Sequence, residues 1–334
     1  MEVSRRIVLA QRPSGAVDEK NVRLEEMPVP EPGPNQALGR VRFLSIDPTI
    51  RTWMNDAPGY LPPIGVGEVI RSSGIAEVIS SNSDRYKVGD MLFGMTGWQD
   101  HVLIGGDAPD MQPLPPGVPP TLALSVFGVT GLTAYFGLIE IGRIKAGDTV
   151  VVSGAAGATG SVVGQIARIK GASTVVGIAG TAEKCAWLVD ELGFDAAINY
   201  KLDNVPARLR ETCPDGIDLY FDNVGGAILD ACLGRLAKHG RVVLCGAISG
   251  YNDPAGPAPV KNYGNLIVRR GRMEGFIILD HLDQAARAQG EMAGWIAEGR
   301  IKHAEQVVDG LEHALDALTM LFTGGNTGKV IVRL

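Results

Sequence analysis

Val150–Gly160 reads VVVSGAAGATG: three β-branched residues run into a stretch with no side chain larger than Thr. A turn cleared of side chains lets the backbone come close to a ligand. Its last six residues, AAGATG, keep the spacing G-x-G-x-x-G with Ala155 in the first glycine position, and an apolar helical segment, SVVGQIARIK, follows. In a strand–turn–helix unit this pattern suits a pyrophosphate. Gly157 brings the backbone up to it, Ala158 and Thr159 open the helix whose N-terminus carries partial positive charge, and Gly160 lets helix and strand pack closely. A tight turn without a ligand is the alternative.

A site for a dinucleotide with a free ribose 2′-hydroxyl carries Asp or Glu about 20 residues further on, at the end of the second strand. Here that end reads GIAGTAEK, and Ile178, Ala179 and Gly180 offer no carboxylate. Lys184 follows on the first turn of the next helix, where it can reach back as a charge-assisted ligand of a 2′-phosphate. The expected coenzyme is therefore NADPH rather than NADH. A solvated helix-surface lysine is the other reading of Lys184, and the missing acid decides between them.

These residues need a scaffold. At 334 residues the chain is long enough for two domains. Up to about Pro120 it is rich in Pro and Gly, with short apolar runs such as ALGRVRFLSI and GIAEVISS, which read as many short strands in a barrel or sandwich. MQPLPPGVPP, 111–120, reads as a linker without regular structure. Strands and amphipathic helices then alternate, with strands expected at 149–154, 173–179, 196–200, 217–224, 241–248 and 273–279. Near-continuous apolar strands with helical crossovers make a doubly wound parallel sheet. From Gly299 the texture reverts to strand, helix, turn, strand. The expected division is 1–122 with 299–334 for the first domain and 123–298 for the second.

Composition excludes some partners. The chain is 45% hydrophobic and 20% charged with a net charge of −6, which argues against a general affinity for nucleic acid or an anionic membrane. No run reaches the roughly 18 apolar residues of a membrane span, and IVLA near the start is too short for a signal sequence, so a cytoplasmic location is expected. The four cysteines, Cys185, Cys213, Cys232 and Cys245, form no CxxC pair and read as reduced thiols.

The order barrel, sheet, return is shared with zinc alcohol dehydrogenases. Catalytic zinc takes about three protein ligands. The first 122 residues hold no cysteine and one histidine, His101, while His239, His281, His303 and His313 are scattered. No metal is expected. Without a Lewis acid, hydride addition to an activated C=C or to a quinone fits better than reduction of a saturated carbonyl.

Longer stretches carry a resemblance that spans the chain: YKVGDMLFGMTGW (86–98), GLTAYFGL (131–138), SGAAGATGSVVGQIARIKG (153–171), EKCAWLVDELGFDAAINYK (183–201), YFDNVGG (220–226), GRVVLCGAISGYN (240–252), RMEGF (272–276) and GNTGKVIV (325–332). With them the chain resembles the zinc-independent medium-chain dehydrogenase/reductases, in particular the leukotriene B4 12-hydroxydehydrogenase / prostaglandin reductase group with its 2-alkenal and curcumin reductases. The resemblance implies an α/β chain: a Rossmann-type doubly wound parallel sheet plus a GroES-like β-barrel catalytic domain. It implies that Lys184 and Tyr200, beside Gly180, bind the 2′-phosphate end of NADPH. It assigns Asn223, Cys245, Gly246, Ala247, Ile248 and Ser249 to the nicotinamide half, with Phe276, Ile277 and Ile278 beside the ring and Asn326 reaching in.

The implied activity is NADPH-dependent reduction of the C=C bond of α,β-unsaturated aldehydes and ketones, without zinc, by a homodimer joined through its Rossmann domains. Tyr251 is the residue expected to do chemistry: its phenol can hydrogen-bond a developing enolate and, directly or through a ribose hydroxyl or water, help deliver the α-proton. Covering the coenzyme as a lid is its other reading. A quinone reductase, or an NADPH-binding sensor without turnover, are the rival functions. One departure stands out: many members have an aromatic residue after DP, where SIDPTIRTWM has Thr49 and Ile50, leaving Trp53 or Tyr60 to replace it. RRGR, 269–272, reads as a solvated turn.

Overall fold

The computed structural model describes residues 3–334. It divides into two compact units, one of residues 3–124 with Glu305–Asn326 and Val330–Leu334, the other of Ser125–Ala304 and Thr327–Lys329.

The first unit begins with β1 (Val3–Leu9) and β2 (Val22–Pro28), which pair antiparallel. β3 (Ala37–Ile46), β4 (Ser73–Ser81), β5 (Met91–Met95), β6 (His101–Ile104) and β7 (Gln112–Pro113) follow. β4 takes one edge of β3, and β6 takes part of the other. Leu9, Leu44, Ile46, Met54, Ile64, Ile70 and Trp98 lie at 0–1% exposure in one cluster; each such side chain contributes about 1.5–3 kcal/mol by leaving water. The segment 111–120 departs from the expected irregular linker. Gln112 and Pro113 pair with Phe93 and Leu92, and Pro120 opens a helix, Pro120–Leu124. A proline is tolerated in both places, at the outer edge of a sheet and in the first turn of a helix.

The second unit is built on β8 (Thr149–Ser153), β9 (Thr174–Ala179), β10 (Ala196–Asn199), β11 (Ile217–Asp222), β12 (Leu236–Leu244) and β13 (Arg272–Gly275). All pair parallel, in the order β10-β9-β8-β11-β12-β13. Val150, Val151, Val152, Leu219, Tyr220 and Phe221 are fully buried, as strands covered on both faces require. The chain leaves β8 toward β9 on one side and later returns to β11 on the other, so the strand order reverses between β8 and β11. In sheets of this kind ligands bind beyond the strand ends at such a point.

β8 and β10 end one residue and β11 two residues before the expected position, and β12 and β13 end four residues before it. β12 ends at Leu244: the Cys245 amide makes the last ladder bond to the Asp222 carbonyl (2.9 Å), and the Gly246 amide turns back to the same oxygen (3.1 Å) instead of continuing the strand. β13 stops at Gly275, and a 3₁₀ helix, Ile278–Gln284, begins where the strand was expected to continue.

Two further strands, β14 (Glu305–Asp309) and β15 (Lys329–Arg333), flank the helix Ala314–Thr323. β15 runs antiparallel to the free part of β3, from Val330 opposite Ile46 to Arg333 opposite Phe43. Just before β15 the Gly328 amide donates to the Ala156 carbonyl (2.8 Å) and the Lys329 amide to that of Ala304 (2.9 Å). Gly328 has φ +69°, and a Cβ there would lie 2.0 Å from the Ala304 oxygen; no other residue fits.

Candidate functional site

The turn after β8 is built for close approach. Gly157 is the extended residue that precedes the helix Ala158–Ile169, and its amide donates to the Gly154 carbonyl (3.0 Å). A Cβ on Gly160 would lie 2.4 Å from the Gly154 oxygen and 2.8 Å from the Ala155 Cα, so this glycine is what lets the helix lean on the strand. A Cβ on Gly157 would meet only the Gly154 oxygen, at 3.2 Å, which leaves open space over the helix start. Gly157, Ala158 and Thr159 are part-exposed there, and Gly160 is buried. The turn fits a pyrophosphate: small residues, amides at a helix N-terminus, and room.

At the end of β9, Thr181 caps the next helix, its Oγ1 accepting from the Lys184 amide at 3.2 Å. Tyr200, after β10, lies over Gly180: a Cβ at Gly180 would come within 3.0 Å of its Cε1. Lys184 is part-buried, and its ammonium is pushed below the ordinary lysine range first by burial and then by the charge of Lys201. Glu183 shares the corner but is exposed. The exposed Lys201 repels the part-buried Lys184, and a phosphate of charge near −2 would offset that repulsion. Lys201 had escaped sequence reasoning. Its only local signal was a place directly after Tyr200, and its approach to Lys184 depends on how two loops meet.

The far half of the unit is held by hydrogen bonds across three strand ends. The Asn223 amide donates to Ser153 Oγ (2.9 Å) and its Nδ2 to the Ser153 carbonyl (2.7 Å), while its own carbonyl accepts from Ile248 (3.3 Å). Ser249 donates both its amide (3.1 Å) and its hydroxyl (2.6 Å) to the Val224 carbonyl. The loop 245–249 is thereby laced to the turn 223–225. Tyr251 folds back under it: the Ala247 amide donates to the phenol oxygen at 3.1 Å, and a Cβ on Gly246 would lie 3.1 Å from the same oxygen. That bond uses a lone pair of the phenol and not its proton. The Cys245 thiol is pushed up to about 12 by burial and then by the charge of Asp222, so no thiolate forms there near neutrality.

Leu244 pairs with Gly275, so Cys245 and Phe276 leave the sheet side by side. The Phe276 ring lies against the backbone at Gly137, where a Cβ would be 2.6 Å from its Cζ, and edge-on to His281 at 6.4 Å. Ile277 is extended and Ile278 buried. The structure thus brings Asn223, Cys245, Gly246, Ala247, Ile248, Ser249 and Tyr251 together, with Phe276, Ile277 and Ile278 on the neighbouring strand end. Gly157–Gly160 and the group Gly180, Lys184 and Tyr200 follow beyond β8 and β9. Asn326 is buried and belongs to the first unit.

In the first unit Thr49, Trp53 and Tyr60 lie together. Tyr60 is in hydrogen-bond contact with Thr49 (hydroxyl to hydroxyl, 2.6 Å) and meets Trp53 edge to face at 6.3 Å, with the Arg71 guanidinium 5.7 Å from the Trp53 ring. Among the described residues no three His, Cys, Asp or Glu side chains are grouped to hold a metal ion.

Two family models match: one described as the N-terminal domain of oxidoreductase, over residues 5–112, and one described as zinc-binding dehydrogenase, over residues 158–293. The NADPH-dependent curcumin reductase of Escherichia coli (strain K12) is 41% identical across 99% of this chain and 97% of that protein. The NADP(+)-dependent 2-alkenal reductase of Nicotiana tabacum is 39% identical across 94% of this chain and 91% of that protein. The crystal structure of CurA in complex with NADPH from Vibrio vulnificus is 40% identical with a TM-score of 0.93, covering 98% of both chains.

Proposed function

From a chain that belongs to the medium-chain dehydrogenase/reductase family, we propose an NADPH-dependent reductase of the C=C bond of α,β-unsaturated aldehydes and ketones. The bound coenzyme supplies the hydride that adds to the β-carbon. The residues of this chain bind, orient and protonate. Gly157, Ala158, Thr159 and Gly160 receive the pyrophosphate, and Lys184, Lys201 and Tyr200 receive the 2′-phosphate beside Gly180. Asn223 and Cys245–Ser249 hold the nicotinamide half with Phe276, Ile277 and Ile278 alongside, and Asn326 is a further coenzyme-binding residue. Segments 1–122 and 299–334 serve as the catalytic domain.

The observation that carries the chemistry is the Tyr251 phenol. Its oxygen is held by the Ala247 amide, and a phenol placed there can donate to an enolate oxygen as negative charge arrives. A neutral donor suffices because conjugation has already spread the charge. The raised Cys245 thiol belongs to the same logic: conjugated carbonyls add to thiolates, and a site that handles them keeps its sulfur protonated.

NADPH consumption by the purified protein, followed at 340 nm against enals, enones and 1,4-quinones, tests this reading. Turnover of enals or enones with product saturated at C=C is expected. Turnover of quinones alone would make the protein a quinone reductase, and coenzyme binding without consumption of any acceptor would make it a sensor.

We further propose a cytoplasmic homodimer joined through the second unit. No helix among the described residues is long and apolar enough to cross a membrane. β13 is the outer strand of its sheet, and the helix Asn265–Arg269 near it exposes Ile267 at 79% and Val268 at 67%. An open strand edge with exposed apolar neighbours is a surface that proteins otherwise keep covered. Sedimentation at micromolar concentration is expected to give a dimer for the wild type and a monomer for Ile267→Asp/Val268→Asp; a monomeric wild type would refute the proposal.

A further inference from the structure

Asp222 ends β11, the strand beside the point where the strand order reverses, and it is fully buried. Its Oδ1 accepts from the Ser153 hydroxyl (2.9 Å), the Tyr220 hydroxyl (2.6 Å), and the amides of Val224 (3.0 Å) and Gly225 (3.0 Å); Oδ2 accepts from Gly225 at 3.1 Å. No basic side chain among the described residues pairs with it. Its main-chain carbonyl meanwhile receives the amides of Cys245 and Gly246. One residue therefore ties the turn 223–225 and the loop 245–246 together, and does so with neutral donors only.

Neutral donors hold a carboxylate in place without cancelling its charge. The field reaches its neighbours: after burial, Asp222 is the next cause that pushes the Tyr220 phenol and the Cys245 thiol upward. A burial this complete is costly for a charge with no cation beside it. A cation that appears only when coenzyme is oxidised would account for the arrangement, since a nicotinamide is neutral when reduced and carries +1 once its hydride has left.

We propose that the Asp222 carboxylate is a positioning residue that supplies the counter-charge for the oxidised nicotinamide, so that its field lowers the free energy of the coenzyme after hydride departure relative to before. This rests on the coenzyme reading above. The consequence is a bias between two ligands that differ by one charge: NADP⁺ is favoured over NADPH by more than their shared contacts would give.

Dissociation constants for NADP⁺ and NADPH, measured by titration of the apoprotein, test it through their ratio. In Asp222→Asn, which keeps the shape and removes the charge, the ratio Kd(NADP⁺)/Kd(NADPH) is expected to rise about tenfold, the scale of a charge pair screened as in a protein interior. In Tyr220→Phe, which keeps the charge and removes a hydroxyl dipole that partly offsets it, the ratio is expected to fall about two- to threefold. A residue that only braced the loops would weaken both ligands alike, and an unmoved ratio, or one moving the same way in both variants, would overturn the proposal. Should Asp222→Asn fail to fold, Tyr220→Phe decides alone, a ratio that holds or rises being the refutation. A wild-type protein that binds neither ligand would refute the coenzyme reading itself, and this proposal with it.

Discussion

Replacing Tyr251 with phenylalanine is expected to lower kcat for an enone about a hundredfold while leaving NADPH affinity within a few-fold. Loss of one preorganised donor to a developing oxyanion costs on the order of 2.7–4 kcal/mol. The substitution also strips the Ala247 amide of its acceptor, for which about 1 kcal/mol of local stability is the scale. The two effects separate in kinetics. Loss of the donor appears in kcat and kcat/KM for the enone, whereas a loosened loop appears in KM for NADPH. An unchanged kcat with a raised coenzyme KM would leave Tyr251 only the covering role.

The second large effect is expected at Lys184. In Lys184→Ala, KM for NADPH should rise about 10- to 150-fold, since a hydrogen bond to a charged group is worth about 1.5–3 kcal/mol, and KM for NADH should barely move. Equal changes for both coenzymes would remove Lys184 from the 2′-phosphate site. The pH dependence carries its own sign. Burial and Lys201 favour the neutral amine of Lys184, so the folded protein holds its proton less firmly than an ordinary lysine would. The preference for NADPH over NADH is therefore full at low pH and lost as pH rises through that depressed value. Lys201→Ala removes the repulsion and should move the loss to higher pH, although it also removes a second phosphate contact. A loss that moves to lower pH in Lys201→Ala would contradict the repulsion between the two lysines.

Much of the second unit could be read directly from the chain. β8, β9 and β11 are apolar runs ended by glycine or by the DNV turn, and a strand buried on both faces has little choice of pattern. The glycine turn was equally plain, because Gly160 is the one residue small enough for its helix to touch the strand. What could not be read was where backbone leaves the sheet. RVVLCGAI is as apolar after Leu244 as before it, and the strand ends where the Gly246 amide turns back to the Asp222 carbonyl that Cys245 already bonds. Hydrogen-bond partners of the main chain leave no trace in side-chain pattern. The same holds for groups that meet from separate segments: Lys184 and Tyr60 could be singled out one by one, but not the charge of Lys201 acting on Lys184, the bond between Tyr60 and Thr49, or Asp222 gathering Ser153 and Tyr220.

The bond from the Gly328 amide to the Ala156 carbonyl ties a late segment to the turn at which the coenzyme would dock. Gly328 can accept no substitute, because any Cβ would strike the Ala304 oxygen. Order of synthesis gives this bond a temporal meaning. A ribosome completes every strand of the parallel sheet well before it reaches Gly328, so the emerging sheet waits with its docking turn unbraced. That brace is added last, after the rest of the unit has had the chance to fold.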